Sequence, residues 1–504
     1  MRATLKTILE KLLANIKELH SSLKSPLKNW CIFAILVIAC FLTYYNALFG
    51  AFVSHDDFTI PEYSPPSSWL LVWHHPISLF DYLIFKSGWN NPYVYHLANV
   101  LLHCLNTIMV FIFLKLFFGK KASFWGAVIF AVHPIHTETV TWVSGRGHLF
   151  IAFLMFFTYL FYRKFVNQAN FLYYLFSLII FYYWTTYTIG ISLIFPIFII
   201  LSDIYLGKTK NAWRSWLPFC FIAIFGLITH SVEISSRLQI NMVSEGGTAT
   251  GLERFIFRTI LFFGDYNHYL KVWWVLPWYS FVHNLRLTLF PFTLNFYHEP
   301  IHIYFNSPIF NWLYWLYFLT AVFLIWKYIK KFTKEILFVT CFFILFLSPT
   351  FSFIPVSSLI AERYLYLPSI ALSMLLALGY EKIRFKKIYL IFLILIIGLF
   401  MAKTITRNMD YYSLIRFWEA EVKFSPDSAR TRNDLGYAYL GEERYDEAIS
   451  QFKLAMKIDP QANRPIQNII LAYGLQGKEV KQMRYNYRKK KWKVIFSNFP
   501  LSVF

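Results

Sequence analysis

Apolar runs of membrane-spanning length recur along this chain and constrain its fold more than any other feature. A helix needs about 20 mainly apolar residues to cross a bilayer, and only helices or closed barrels satisfy their backbone groups in lipid. Hydrophobic residues make up 57% of the chain and charged residues 15%, which excludes an ordinary soluble globular protein. We therefore predict an all-α, polytopic membrane helical bundle of about 11 spans. The predicted spans are 30–49, 95–118, 122–140, 148–163, 171–188, 189–206, 215–232, 309–328, 335–353, 366–381 and 388–403.

The positive charges predict which way the bundle faces. Residues 1–29 place Leu and Ile at helical spacing among Lys and Arg, which is typical of a basic amphipathic helix lying on a membrane surface. The short basic loops all fall on the side of this segment, and the positive-inside rule makes that side cytoplasmic. An odd number of spans then puts the C-terminus on the outer face. The basic residues of these loops are Lys120, Lys121, Arg163, Lys164, Lys208, Lys210, Arg214, Lys327, Lys330, Lys331, Lys334, Lys382, Arg384, Lys386 and Lys387.

The same distribution of charge excludes several functional classes. A net charge of +21 that is spread over loops between apolar runs fits contact with anionic membrane lipids, and no nucleic-acid partner is expected. All five cysteines lie inside apolar runs, which predicts buried apolar side chains and no disulfide framework. Because Walker, Gly-rich nucleotide and GxSxG motifs are all absent from the sequence, a soluble nucleotide is not expected as substrate.

Polar residues concentrate in the connections that this topology places on the outer face. Asp56 and Asp57 follow directly on the first span, where an ionised group is costly unless it has a partner or a task. Ionisable groups from segments far apart in sequence thus share one membrane face, and we predict a site at that boundary. The outer connections are 50–94, 133–148, 233–308 and 354–365.

The second outer connection begins with two histidines, His133 and His136, in HxxH spacing. Zinc-binding helices use HExxH instead, so we predict no metal site here. Arg146 follows between two glycines at the outer end of a span, where an arginine can bind a phosphate and the glycines let a ligand approach. Snorkelling of the side chain to lipid headgroups is the alternative interpretation. The fourth connection offers Glu362 and Arg363, a second outer arginine beside an acid, which alternatively pair with other residues.

Residues 405–504 are more charged than the bundle and form helices of another kind. They match a tetratricopeptide repeat of about 34 residues, in which small residues let two helices cross closely. We predict a small extracytoplasmic tetratricopeptide-repeat α-solenoid with a basic tail at 488–493. The matching residues are Leu435, Gly436, Tyr439, Ala448, Phe452, Ala455 and Pro460, with Leu414, Trp418 and Pro426 from a partial preceding repeat.

Several short motifs occur in a characteristic order along the chain. They are Asp56-Asp57, His96-Leu-Ala-Asn99 with Leu102-His103, His133-Pro-Ile-His-Thr-Glu-Thr-Val140 with Gly145-Arg146, Ala361-Glu-Arg-Tyr-Leu-Tyr-Leu-Pro368, and Thr406-Arg407-Asn408. Together with the spans and the repeats, this order resembles the transmembrane and tetratricopeptide-repeat-containing (TMTC-like) O-mannosyltransferases and their bacterial relatives. The resemblance covers nearly the whole chain.

The resemblance implies a GT-C glycosyltransferase fold for residues 30–404. Such enzymes move a sugar, here mannose-like, from a polyprenyl-phosphate carrier to a hydroxyl acceptor, protein Ser/Thr in this family, on the outer or luminal face. The membrane is the bacterial inner membrane, or the endoplasmic reticulum if the source is eukaryotic. The acidic pair of the family maps onto Asp56 and Asp57, and its outer arginines map onto Arg146 and Arg363. His75 stands where relatives often carry arginine, and it would bind phosphate less well at neutral pH.

These assignments predict an inverting mechanism with a general base. Asp56 or Asp57 would accept the proton of the acceptor hydroxyl as its oxygen attacks the anomeric carbon. The donor phosphate would be bound by Arg146 and Arg363, with His75, His133, His136 and Glu362 beside them. No cofactor is required, although two adjacent acids are able to hold a divalent cation. The repeats would contact a protein or glycan acceptor.

Two other functions stay open from sequence. One is a GT-C enzyme that modifies a lipid or a surface glycan, and glycan analysis of a deletion strain would separate it from a protein glycosyltransferase. The other is a non-catalytic membrane scaffold that recruits partners through its repeats, which unaltered transfer in Asp56 and Asp57 variants would favour. A transporter is disfavoured because the sequence shows no paired broken helices and no internal repeat of spans.

Overall fold

The computed structural model describes most of the chain. The described residues are 29–54, 91–186, 188–208, 212–243, 276–296, 298, 316, 319–320, 323, 327, 332–351, 360–460, 462–478, 480–486 and 491–496. The predicted surface helix 1–29, apart from Asn29, and the site candidates Asp56, Asp57 and His75 lie outside these residues, so their assignments stay predictions.

Helices make up the described part of the chain as far as residue 408. Four helical stretches are long and apolar enough to cross a membrane, namely Asn29–Phe49, Pro92–Leu114, Val143–Gln168 and Lys386–Tyr412. Shorter apolar helices at Phe171–Thr185, Gly190–Tyr205 and Trp213–Thr229 add to the bundle. The predicted all-α class with membrane helices is confirmed, whereas the count of 11 spans stays a prediction. The helices are α1 (Asn29–Phe49), α2 (Pro92–Leu114), α3 (Lys120–Val132), α4 (Thr137–Thr141), α5 (Arg146–Gln168), α6 (Phe171–Thr185), α7 (Ile189–Tyr205), α8 (Trp213–Val243), α9 (Leu276–Leu289), α10 (Lys334–Leu347), α11 (Ile370–Lys382) and α12 (Lys386–Asn408).

Short polar residues set the ends of several of these helices. The Asn91 side chain accepts a hydrogen bond from Tyr93 N at 3.0 Å, and Pro92 occupies the first turn of α2. The Asn170 side chain caps α6 in the same way, through Leu172 N at 2.9 Å. Such caps satisfy backbone N–H groups that have no partner within the helix.

Helix α2 lies in the centre of the bundle. The ring of Phe113 is fully buried, and its centroid lies 5.5 Å from Tyr159 and 5.6 Å from Phe156, both on α5. It also lies 6.0 Å from Phe198 on α7 and 6.1 Å from Phe342 on α10. Aromatic rings therefore fill the space between helices that are far apart in sequence, which accounts for much of the aromatic content of 21%.

The predicted span 122–140 is wrong in its second half. Helix α3 ends at Val132, because His133 is extended (φ −66°, ψ 124°) ahead of Pro134 and a residue before proline is disfavoured in the helical region. The chain then folds into short helical turns, Pro134–His136, α4 and Val143–Gly145, before α5 begins. This buried, irregular stretch carries most of the polar motif residues.

The C-terminal region forms four more helices and a hairpin. The close crossing expected at Gly436 is present, because a Cβ there would lie 2.6 Å from the Phe452 ring. The tetratricopeptide-repeat assignment of this region stays a prediction. The antiparallel pair of strands that follows departs from the all-α prediction, and residues such as Tyr485, Trp492 and Val494 favour strands. The elements are α13 (Leu414–Phe424), α14 (Ala429–Gly441), α15 (Tyr445–Ile458), α16 (Asn463–Leu475), β1 (Val480–Asn486) and β2 (Lys491–Phe496).

Candidate functional site

The sequence motifs meet in three dimensions, beginning with Asn99 of α2. Its amide Nδ2 lies 3.2 Å from the carbonyl of Val140, 3.1 Å from that of Trp142 and 3.4 Å from that of Val143. The amide group therefore holds the backbone of the irregular stretch ahead of α5. The second motif, through Asn99, thus positions the third, because a buried carbonyl without a donor would be costly.

His103 joins the same helix to the fourth motif. The Tyr366 hydroxyl donates to His103 Nδ1 at 2.8 Å, and His103 Nε2 donates to the Ala131 carbonyl at 3.1 Å. Asn106 Nδ2 donates to the Tyr366 hydroxyl at 3.2 Å and to the Leu149 carbonyl at 2.8 Å. These bonds fix the position of Tyr366, three residues after Arg363.

The two histidines of the HxxH sequence are both committed to the protein. His133 accepts from Ile135 N at 3.1 Å through Nδ1 and donates to the Thr288 carbonyl at 3.0 Å through Nε2. His136 Nε2 donates to the Ser369 hydroxyl at 2.8 Å. Burial lowers the pKa of His133 to about 3 and also lowers the pKa of His136, so both rings are neutral. A contact of His133 with a donor phosphate would require these bonds to break, whereas Nδ1 of His136 has no hydrogen-bond partner among the described residues.

Arg363 lies at the centre of the polar cluster and pairs with Glu138. Its guanidinium Nη1 donates to Glu138 Oε1, and its backbone N donates to Oε2 at 2.9 Å. The fully buried Glu138 comes from α4, 225 residues earlier in the chain. The sequence left open whether Arg363 pairs with another residue, and in the structure that partner is Glu138.

Aromatic rings surround the Arg363 guanidinium. Its carbon lies 5.0 Å from the ring centroid of Tyr364, 5.4 Å from that of Trp142 and 5.9 Å from that of Phe296. Burial raises the pKa of Glu138, and the charge of Arg363 opposes that rise. Beside Glu138 the pKa of Arg363 is raised above its ordinary value, so the arginine stays charged in this low-dielectric place. A held, charged and partly desolvated guanidinium is suited to bind an oxyanion.

Trp142 links this arginine to the segment that precedes the acidic pair. Its indole N–H donates to the Ser54 hydroxyl at 2.9 Å, and Ser54 stands two residues before Asp56 in the sequence. The backbone N–H of Ala51 donates to the Tyr411 carbonyl at 2.9 Å, which fixes the same segment at the end of α12. The described start of the first loop therefore lies beside Arg363.

Arg146 begins α5 on the other side of Trp142. Its Nη1 donates to the Val143 carbonyl at 3.3 Å, and its guanidinium carbon lies 5.4 Å from the ring centroid of Tyr95. The glycine before it has a packing role, because a Cβ on Gly145 would lie 2.6 Å from the carbonyl oxygen of Thr139. Gly145 therefore allows two backbone segments to cross closely, whereas the sequence predicted that it lets a ligand approach.

Glu362 is fully buried and makes its described hydrogen bonds with residues other than Arg363. Its Oε1 accepts from the backbone N–H of Asn295 and lies 3.2 Å from His298 Nε2. Its Oε2 has no hydrogen-bond partner among the described residues. Burial raises the pKa of Glu362 to about 7 and lowers that of His298 to about 4. The described contacts of Glu362 are with Asn295 and His298, and its predicted place beside the donor phosphate stays a prediction.

The last motif connects the first and last candidate spans. Asn408 Nδ2 donates to the Thr43 carbonyl at 3.1 Å and to Asn46 Oδ1 at 2.9 Å, while Thr141 donates to Asn408 Oδ1 at 2.8 Å. Arg407 donates to Glu421 Oε1 of α13 at 2.6 Å. These contacts make the start of the C-terminal helices part of the site wall.

Glu138, Trp142 and Glu421 are the contributors that were not assigned from sequence. Glu138 and Trp142 lie in or just after the His133–Val140 motif, so their place in that motif was an available signal. Glu421 had no signal, because an acid on an amphipathic helix usually faces solvent.

The sequence is similar to curated protein O-mannosyl-transferases. Over 415 residues it is 25% identical to human protein O-mannosyl-transferase TMTC3, which covers 73% of this chain and 42% of the human protein. Mouse TMTC1 is 30% identical over 161 residues, or 27% of this chain and 17% of that protein. Human TMTC4 is 28% identical over 188 residues, or 30% of this chain and 25% of that protein. The chain thus spans less than half the length of the curated relatives it matches, and no protein-family model matches it.

Proposed function

We propose that this chain, which is TMTC-like in sequence and carries membrane helices, is a glycosyltransferase that acts on protein. The sugar is mannose-like, the donor is a polyprenyl-phosphate sugar, and the acceptor is a Ser/Thr hydroxyl at the outer or luminal face. The similarity to proteins named protein O-mannosyl-transferases supports the reaction class. The donor, the face and the inverting course follow from the resemblance and from the site chemistry.

One observation carries the proposal more than any other. The Arg363 guanidinium is fixed by Glu138 and ringed by aromatic side chains, and Trp142 of that ring is bonded to Ser54 just before the acidic pair. Asp56 and Asp57 follow Ser54 by two and three residues in the sequence, which supports the proposal that they act at the same site as this arginine. In this proposal a base and a phosphate ligand share one place, as displacement at an anomeric carbon requires.

The proposed reaction is a single displacement at the anomeric carbon. The acceptor oxygen forms a bond to that carbon while the bond from the carbon to the phosphate oxygen breaks. The proton of the acceptor hydroxyl passes to the carboxylate of Asp56 or Asp57. The leaving phosphate gains negative charge, which Arg146 and Arg363 stabilise. The apolar surface between the helices is the place for the prenyl chain.

Glu138 has a supporting part in this scheme. A guanidinium carries five N–H donors in a fixed plane, and Glu138 takes the Nη1 donor while it also accepts from the Arg363 backbone. The carboxylate therefore orients the arginine. A side chain that is already held loses less entropy when it binds phosphate.

The test is to remove the base while its shape is kept. We expect Asp56→Asn or Asp57→Asn to lower transfer from polyprenyl-phosphate mannose to a Ser/Thr peptide by roughly 10²–10⁴-fold in purified membranes, with the larger loss at the base. Binding of the donor lipid should be largely retained. Asp427→Asn, a change at an exposed acid of the C-terminal region, is the matched control. Wild-type transfer rates in both single variants and in the double variant would exclude this mechanism.

A further inference from the structure

Two consecutive residues, Asn295 and Phe296, lie between the site and the C-terminal helices, and we call them the strap. The strap follows α9 and lies between the fourth motif and α13. We propose that Glu421 of α13 holds the strap against Arg363, so that Glu421 and Phe296 are positioning residues for the transfer reaction. The inference rests on the proposed function for its kinetic readout and on the contacts below for its structural one.

Two buried carboxylates bind the two backbone N–H groups of the strap. Asn295 N donates to Glu362 Oε1, and Phe296 N donates to Glu421 Oε2 at 2.6 Å. Glu362 belongs to the fourth motif and Glu421 to the first helix of the C-terminal region, and both are fully buried. A buried N–H group that has an acceptor avoids the cost of an unpaired donor. The strap is therefore fixed from both sides, by residues 59 positions apart in the sequence.

The Phe296 ring carries this contact to the arginine. Its centroid lies 5.1 Å from that of Trp142 and 5.9 Å from the Arg363 guanidinium carbon. On the opposite side it lies 5.4 Å from Phe417 and 6.2 Å from Trp418, both on α13. One ring thus touches the residues around Arg363 and the first helix of the C-terminal region at the same time.

Glu421 itself is held by α12. Arg407 Nη2 donates to Glu421 Oε1 at 2.6 Å, and Arg407 Nη1 donates to Asp410 Oδ2 at 3.1 Å. One oxygen of Glu421 therefore accepts from Arg407 at the end of a candidate span, and the other accepts from Phe296 N of the strap. A glutamine at this position keeps an oxygen that can accept from Phe296 N, whereas an alanine does not.

This arrangement predicts what happens when the strap is released. Without the Glu421 oxygen, Phe296 N loses this hydrogen bond in a buried place, and the Phe296 ring is held less firmly beside Arg363. Misplacement of a substrate-binding group by about 1 Å can lower turnover by about 10²-fold. The loss should fall on kcat, because the strap sets where Arg363 stands and does not itself touch the acceptor.

The experiment compares full-length variants in lipid nanodiscs by hydrogen exchange and by transfer kinetics. We expect Glu421→Ala to speed amide exchange about 10-fold or more at residues 295–296 and at 362–363, and to lower kcat by about 10–100-fold with acceptor KM nearly unchanged. Glu421→Gln keeps one oxygen for Phe296 N but turns an NH2 group toward Arg407, so it should recover slow exchange and kcat in part and lie between Glu421→Ala and wild type. Phe296→Leu keeps the backbone bond, so it should speed exchange only at 362–363. Glu419→Gln, at an exposed acid on the same helix, is the matched control and should resemble wild type.

Two results would overturn the inference. Unchanged exchange at 362–363 in both Glu421→Ala and Phe296→Leu would show that the strap does not hold Arg363. If Glu421→Ala exchanges faster but keeps the same kcat as the Glu419→Gln control, the contact between Glu421 and the strap does not serve transfer. If the wild type transfers no sugar from polyprenyl-phosphate mannose, the proposed function fails, and the exchange at 362–363 still decides whether Glu421 positions Arg363.

Discussion

Two buried pairs of arginine and carboxylate lie near opposite ends of helix α5 and serve different purposes. They are Arg363 with Glu138, near the start of the helix, and Arg163 with Asp203, near its end. Arg146 near the site and Arg163 are 17 positions apart on this helix, which corresponds to about 25 Å along its axis. At the far end Arg163 donates to Asp203 Oδ1 at 2.6 Å, and Tyr162 and Trp216 donate to Oδ2 at 2.5 and 2.9 Å. Every oxygen of Asp203 is therefore bonded, and the pair ties α5, α7 and α8 together.

At the near end the cluster around Arg363 is less complete. Glu138 is bonded to Arg363, but the adjacent carboxyl of Glu362 keeps an oxygen without a hydrogen-bond partner among the described residues. Three aromatic rings lie around the Arg363 guanidinium, whereas a hydroxyl and an indole N–H donate to Asp203 beside Arg163. Arg163 Nε has no hydrogen-bond partner among the described residues, but both oxygens of Asp203 have donors, which indicates a structural role. A buried carboxyl that keeps an unpartnered oxygen, as Glu362 does, marks a candidate site.

The largest effect on stability is expected at the far pair. Asp203→Ala leaves Arg163 buried without its partner, and breaking a buried pair costs about 3–5 kcal/mol of the free energy of unfolding. We expect a marked fall in the thermal midpoint in detergent, with the transfer rate per folded molecule unchanged. A thermal midpoint equal to that of wild type would remove the structural role assigned to this pair.

The near pair should show the opposite behaviour. Arg363→Lys keeps a positive charge beside Glu138 but loses the planar fork, so stability should change little while transfer falls by about 10²–10³-fold. The matched variant Arg163→Lys should lose stability and keep its transfer rate per folded molecule. Equal losses of transfer in Arg363→Lys and Arg163→Lys would show that the two pairs do not differ in function.

A smaller, pH-dependent effect is expected at Glu362. Its pKa is raised to about 7 by burial, from an ordinary value of 4.5, and Arg407, Arg363 and the Asn295 N–H oppose the rise. A raised pKa in an acid means that the folded state holds the proton more tightly. The stabilisation is then fully present below pH 4.5 and is lost as the pH rises through 7.

The comparison with Glu362→Gln isolates this effect. Relative to that variant, wild type should lose on the order of 3 kcal/mol of unfolding free energy between pH 4.5 and pH 7.5. Thermal midpoints of both proteins, measured across this range in the same detergent, give the difference directly. If the stability of wild type relative to Glu362→Gln rises with pH, or does not change, the raised pKa of Glu362 is contradicted.

Much of the architecture could be predicted because it depends on composition and local pattern. The apolar runs predict membrane helices, and Asn91, Pro92 and Asn170 mark helix starts that the structure contains. The end of α3 at Val132 was missed, although Pro134 was a local signal for it, because hydropathy continues past the break. Arg363 was recognised as a site candidate, but its partner was not, since 225 residues separate it from Glu138.

The sequence by itself determined that this chain is an all-α membrane protein with an ordered set of polar motifs and a distinct C-terminal region. Only the tertiary structure decided that Glu138 pairs with Arg363, that His133 and His136 are held neutral inside the protein, and that Glu421 reaches the strap. The physical reason is that periodicity and hydropathy report which residues avoid water. Which buried donor meets which acceptor depends on how helices distant in sequence pack, and no local pattern encodes that.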